Sequence, residues 1–159
     1  FSHSSVAEGD VVVFCFGEID CRCHVGKYAP NWKPVVDALI ENYFEAIDLN
    51  VGQYNNLTAM VYNVVPQIER ESPKNAWMIP YQINAPHISS DPERAEYTQY
   101  MNNKLALKCI ESGYIFIDVY DKYCDENGFL QEDLSDKNCH ISNPKYVSEF
   151  IISSLWKRE

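Results

Sequence analysis

Basic side chains are scarce in this sequence. Thirteen Lys and Arg stand against 23 Asp and Glu, a net charge of −10 with histidine neutral, and no Lys/Arg run occurs. With a pI near 4.8, no stripe is available to neutralise phosphates, which argues against a nucleic-acid-binding surface. Long apolar runs are missing too: none approaches the roughly 20 residues that a helix needs to cross a bilayer, so no membrane span is expected. Internal repeats, low-complexity tracts and linkers are absent. Cysteine is dilute, six in 159 residues, which is sparse for a secreted disulfide framework. Cys15 lies in an apolar run and Cys109 falls at a helix-core spacing, so both are expected as buried thiols. The six are expected to be free, with no disulfide and no zinc, in a reducing, cytoplasmic setting. The sequon Asn56-Leu57-Thr58 would matter only in a secreted protein. The chain begins at Phe1 without signal-peptide features and reads as a fragment or part of a larger protein, a removed targeting segment staying open.

What is present is a globular composition, 46% hydrophobic and 23% charged, in a length that suits one domain spanning residues 1–159. Val11 to Phe16 (VVVFCF) is a continuous β-branched and aromatic run, the pattern of a strand buried on both faces. After Pro30 and Pro34, Val35-Val36, Leu39-Ile40, Tyr43-Phe44 and Ile47 form a stripe at helical spacing. Ala59 to Val65 predicts a second strand, stopped by Pro66. Trp77 to Ile83 carries Pro80 and reads as edge strand or loop. Ser89 to Gly113 predicts a long helix with Asp91 as N-cap, Pro92 at N1 and Met101, Leu105 and Cys109 on one face. Tyr114 to Tyr120 predicts a third strand. A last helix follows Asn143-Pro144, with Val147, Phe150, Ile151 and Leu155 inward. This β-α-β-α-β-α order implies an α/β fold, a three-layer α/β/α sandwich on a parallel sheet. Three strands are few for such a sheet; either Trp77–Ile83 joins it or further strands lie upstream of Phe1, the second being favoured.

Ligands of an open parallel sheet collect outside the carboxyl ends of its strands. Three segments qualify: Gly17 to His24, Pro66-Gln67, and the acidic stretch from Asp118 to His140. An ion pair between Asp20 and Arg22 capping the sheet is the simplest structural explanation of the first. His140 is the natural general base and Asp136 could orient it, with Asp133 in reserve. The Gly17 and Glu18 backbone N–H groups and the Arg22 guanidinium are the available oxyanion donors, and Arg22 could instead grip an anionic substrate group. Zinc ligation by Cys21, Cys23, His24, Cys139 and His140 is disfavoured, because Cys-x-Cys is not the usual spacing. Asp125-Glu126-Asn127-Gly128 suggests a solvated turn rather than a calcium loop. Cys139 as a nucleophile is set aside here, because neighbouring residues of an extended segment point apart. His3, His24 and His87 read as polar surface. Trp77, Tyr81 and Tyr97 could line a sugar groove, ordinary packing being the default.

The run FCFGEIDCRCH, followed by a parallel-sheet layout and a late Asp before a His, resembles the SGNH/GDSL hydrolase superfamily. It is most similar to a divergent branch with a GEIDCR-type motif, found in proteins of glycan and cell-surface assembly. The resemblance covers roughly Asp10 to Leu155 and includes the YIFIDVYDKYCDENGFL stretch. Gly17 to Asp20 stands where the family has Gly-x-Asn-Asp, and Asp136 and His140 where it has its catalytic Asp and His. It implies a flavodoxin-like fold and an esterase or acyl-transfer domain acting on acyl groups, acetyl among them, of carbohydrate. The expected partner is then a carbohydrate or acylated glycan, without a cofactor. The sequence departs from the family in four places. No serine follows the first readable strand, the second-block glycine is unidentified, Ile19 replaces the oxyanion asparagine, and the Asp–His spacing is one residue longer. The nucleophilic serine is therefore expected upstream of Phe1, or from Ser2–Ser5 folding back. A degenerate SGNH-like module that binds a glycan or protein partner without turnover is the alternative.

Overall fold

The structure, a computed structural model, describes residues 5–70, 88–136 and 139–156. Expectations for Ser2, Ser4, His3, Trp77, Tyr81, His87 and the Trp77–Ile83 stretch fall outside those residues. Three strands, β1 (Val11–Cys15), β2 (Thr58–Tyr62) and β3 (Ile115–Ile117), form a parallel sheet in the order β1-β2-β3 among the described residues. Val13 pairs with Met60 and Tyr62 with Ile117. Helices α1 (Lys33–Val51) and α2 (Asp91–Ser112) make the two crossovers, α3 (Tyr120–Tyr123) is one turn, and α4 (Lys145–Trp156) ends the described chain.

Side-chain alternation along the strands assigns the layers. On one face Phe14, Val61 and Phe116 meet the inward stripe of α1 (Val36, Ile40, Phe44, Ile47) and that of α2 (Tyr97, Met101, Leu105, Cys109). Each of these aliphatic side chains contributes roughly 1.5–3 kcal/mol on burial. On the opposite face Met60, Ile117 and Val119 pack with Leu130, Leu134 and the half-buried Val147, Phe150, Ile151 and Leu155 of α4. The α/β/α layering expected from the periodicity is what the chain adopts.

Several details differ from expectation. β1 is not buried on both faces: among the described residues it lies at the edge of the sheet, α4 packs against β3, and Val11 and Val13 are each 37% exposed. Cys15, on the same face, is accordingly exposed rather than buried, whereas Cys109 is buried. All six cysteines are free thiols. β2 stops at Tyr62 instead of reaching Val65, because side chains take over the backbone pairing there. Asn102 accepts the Val64 N–H (2.7 Å) and donates to its carbonyl (2.9 Å), while Asn63 donates to the same carbonyl (2.8 Å) and accepts the Val119 N–H (3.0 Å). The N-cap of α2 is Ser90, not Asp91, and it forms a capping box with Glu93. Asp91 is buried within the first turn, pairs with the fully buried Arg94 and accepts the Arg70 N–H. Tyr97 is likewise core, stacked at a tilt against Trp32 with ring centroids 4.7 Å apart, and so is not a wall of a sugar groove. Gly113 ends α2 in the left-handed conformation (φ 71°).

Burial pushes the Cys21 and Cys109 thiols up from 9.0 to about 12. The folded chain then keeps protons that the unfolded chain releases, so their contribution to stability is full below pH 9 and is lost on the way to pH 12. Urea unfolding followed by far-ultraviolet circular dichroism should show a midpoint that falls steadily above pH 9, with a shallower fall in Cys109→Val.

Candidate functional site

Above the carboxyl ends of β1 and β2 the chain encloses a cleft of about 610 Å³. Its inner wall is apolar, formed by Cys15, Phe16, Tyr62, Val64, Val65 and Ile141. Its rim carries Gly17, Glu18 and Asp20 on one side and Cys139 and His140 on the other, with Asn63 between. Two of the three segments singled out in the sequence therefore meet at one cleft, as sheet topology suggests; Pro66 and Gln67 do not line it, and neither do Arg22 and Asp136.

The first segment is shaped by Gly17. It leaves β1 at φ 101°, a conformation that side chains rarely adopt, and a Cβ there would run into the Met101 sulfur and a Val64 methyl. The Gly17 carbonyl then accepts the Cys21 N–H (3.0 Å) and the chain turns helically, widening into one π-type turn over Asp20–His24 before a 3₁₀ turn over Val25–Tyr28. Widened turns of this kind are frequent at functional sites. Cys21, Cys23 and Val25 point inward and His24 outward. Because the segment is helical, Arg22 pairs with Glu18 four residues before it, Nε to Oε1 at 2.6 Å and a second N–H at 3.2 Å. It does not pair with Asp20: on a helix two residues apart lie on different sides. Arg22 stands behind the rim, its side chain 11% exposed.

The second segment is a tight reversal. Ser135 and Ile141 form an antiparallel bridge, and the Asp136 N–H donates to the His140 carbonyl at 2.9 Å. Asp136 and His140 thus face each other across the neck of a loop, which is what a spacing of four residues allows. One Asp136 oxygen accepts the His140 backbone N–H (3.1 Å) and the other meets Nδ1 of the ring (2.9 Å). A carboxylate at Nδ1 holds the ring proton there and leaves Nε2 as the acceptor. Asp133 lies apart, in a 3₁₀ turn over Glu132–Leu134. Cys139 corrects the expectation that it points away from His140. The chain bends at these residues, and Sγ lies 3.6 Å from Nε2 and 3.9 Å from Nδ1. Burial raises the Cys139 thiol above its ordinary value, with Glu18 adding to the rise and Arg22 opposing it.

Among the described residues no group of three or more His, Cys, Asp and Glu could hold a metal ion, and no helix is long and apolar enough to cross a membrane. Asp125 accepts the Asn127 and Phe129 N–H groups in a turn of its own making. Sequence reasoning missed Asn63 and Asn102, which fix the cleft wall through Val64. An asparagine beside the β-branched end of a strand is the signal that could have found the first.

No family model matches the sequence, and no curated protein matches it. Two solved structures are similar in fold. One, from Streptococcus pneumonia and provisionally described as a platelet activating factor, is 24% identical with a TM-score of 0.61, over 92% of this chain and 59% of its own. The other, from Bacteroides fragilis and provisionally described as an acylhydrolase, is 13% identical with a TM-score of 0.60, over 93% of this chain and 62% of its own. The chain thus spans about three fifths of the length of each. The likeness shows a shared fold, an α/β arrangement on a parallel sheet.

Gly17→Ala should test how closely the cleft depends on that residue. Overpacking and the left-handed backbone together cost about 2–4 kcal/mol. A thermal melt should fall by several degrees, at roughly 2–4 °C per kcal/mol for a chain of this size.

Proposed function

We propose that this chain carries the base and substrate-binding elements of an SGNH-type esterase or acyl-transfer site. Its substrate class is acyl groups, acetyl among them, borne on carbohydrate, as in the GEIDCR-type branch. The observation that carries this reading is His140 lining an apolar-walled cleft with its Nδ1 held by Asp136. Proximity does the first part of the work: an acyl group lodged against Phe16, Tyr62 and Val64 would present its carbonyl to the rim. His140 Nε2 takes the proton of the attacking hydroxyl or thiol and returns it to the departing alcohol. Asp136 keeps the ring in the tautomer that makes this possible and stabilises the imidazolium formed on the way. The Gly17–Glu18 backbone is the available source of N–H donors for the oxyanion. Arg22, already held by Glu18 behind the rim, would offset the negative charge of Glu18 there and could turn to an anionic sugar substituent.

The site is open to water, with the His140 side chain 67% exposed. The Asp136–His140 contact itself therefore adds little to stability, of order 0–1 kcal/mol. Its value lies in orientation, and removing it should alter catalysis more than folding. In a hydrolysis assay on p-nitrophenyl acetate and on an O-acetylated sugar, His140→Ala should lower kcat by about 10²-fold or more. Asp136→Asn should lower kcat with little change in KM, and both variants should melt within a few degrees of the parent. Unchanged turnover in His140→Ala would overturn the reading.

A further inference from the structure

We infer that the Asn63 carboxamide is an oxyanion donor of this cleft, giving a hydrogen bond to the acyl oxygen as negative charge develops on it. The inference rests on the reading of His140 as base and Asp136 as its orienting carboxylate, and adds the side chain that answers the opposite charge. Three observations carry it. Asn63 follows β2 directly and lines the cleft together with Gly17, Glu18 and His140. Its side chain is held at both ends: Oδ1 accepts the Val119 N–H (3.0 Å) and Nδ2 donates to the Val64 carbonyl (2.8 Å). A primary amide has two hydrogens to donate, and these bonds use one of them. The second meets no acceptor among the described residues, although Asn63 is only 2% exposed. Buried donors are seldom left unpaired, so a spare N–H in the lining of a cleft marks a place for a ligand oxygen.

The chemistry of the lining selects the same residue. Glu18 and Asp20 would repel an oxyanion, Ile19 offers only carbon, and His140 is occupied with the proton. Among the described residues that line the cleft, Asn63 alone carries a side-chain amide. As an attacking hydroxyl oxygen bonds to the acyl carbon, its proton passes to Nε2 of His140 and the carbonyl π pair moves onto the carbonyl oxygen. The Asn63 N–H meets that charge, together with the Gly17–Glu18 backbone. The carbon–oxygen bond to the departing alcohol then breaks, the pair on the oxygen re-forms the carbonyl, and the alcohol takes the proton from His140. Because Val119 and Val64 already fix the amide, no dipole has to turn during the step, and burial strengthens the bond.

Hydrolysis of p-nitrophenyl acetate by the full-length protein is compared with that by Asn63→Ala, by Asn63→Asp, which keeps the acceptor for the Val119 N–H, and by Asn102→Ala. Asn102 also makes two bonds to Val64 but does not line the cleft, so its loss reports the packing role alone. Both Asn63 variants should lower kcat about 10²–10³-fold with KM changed only a few-fold. Asn102→Ala should depress the melting temperature comparably while costing kcat far less. Each protein is also inhibited with an alkyl trifluoromethyl ketone, which a nucleophile converts to a tetrahedral oxyanion, and with the matching methyl ketone, which it does not. The ratio of the two inhibition constants is independent of the fraction folded, and the preference for the trifluoromethyl ketone should drop about 10²-fold in the Asn63 variants. An unchanged preference, or equal losses of kcat in Asn63→Ala and Asn102→Ala, would overturn the inference. Full turnover in Asn63→Ala beside an inactive His140→Ala would overturn Asn63 and leave the base reading intact, whereas full turnover in both would sink that reading as well.

Discussion

Where β1 ends, helix α2 approaches the sheet so closely that the chain can pass only as glycine. Met101 of α2 and Val64 beyond β2 occupy the space where a side chain of residue 17 would stand, and the geometry of the cleft follows from this crowding. The sharp exit at Gly17 starts a helical turn at once, which lifts Glu18 and Asp20 to the rim and buries Cys21 against the Met101 sulfur. Val64, for its part, is pinned by two asparagine side chains that replace the missing strand partner. A buried backbone amide without a partner would cost roughly 1–3 kcal/mol, so these bonds are what lets β2 end early and hand its last residues to the cleft wall.

The opposite side of the cleft is built on different terms. Its loop has little apolar burial and is held instead by a closed ring of short-range bonds across its neck, backbone to backbone and carboxylate to both backbone and ring. One carboxylate therefore does two jobs, fixing the loop and fixing the imidazole. Asp136 and His140, four residues apart, thus face each other across that neck.

Much of the scaffold was legible because it follows periodicity. The stripes of α1 and α2, the stop at Gly113 and the parallel order of strands all come from burial on a repeating face. Legibility failed where a choice lay between chemically similar neighbours. Ser90 and Asp91 are both capping residues, and only the buried Arg94 decides that Asp91 turns inward. Glu18 and Asp20 are both acidic, and only the helical turn after Gly17 decides which reaches Arg22. Cys139 was misread because the argument that neighbours point apart holds for extended backbone and not for a bend. The apolar run of β1 suggested burial on both faces, yet hydrophobicity alone does not say whether a layer is present to cover a strand.

That uncovered strand has a colloidal consequence. β1 offers a row of β-branched residues along a free edge of the described sheet, the arrangement that templates addition of a further strand. The surplus of ten negative charges opposes this at a distance, since copies of the chain repel before their edges can meet. Such repulsion reaches only about a Debye length, close to 8 Å at physiological ionic strength, whereas edge pairing acts at contact. Added salt shortens that reach, so the charge surplus guards the described edge less well as ionic strength rises.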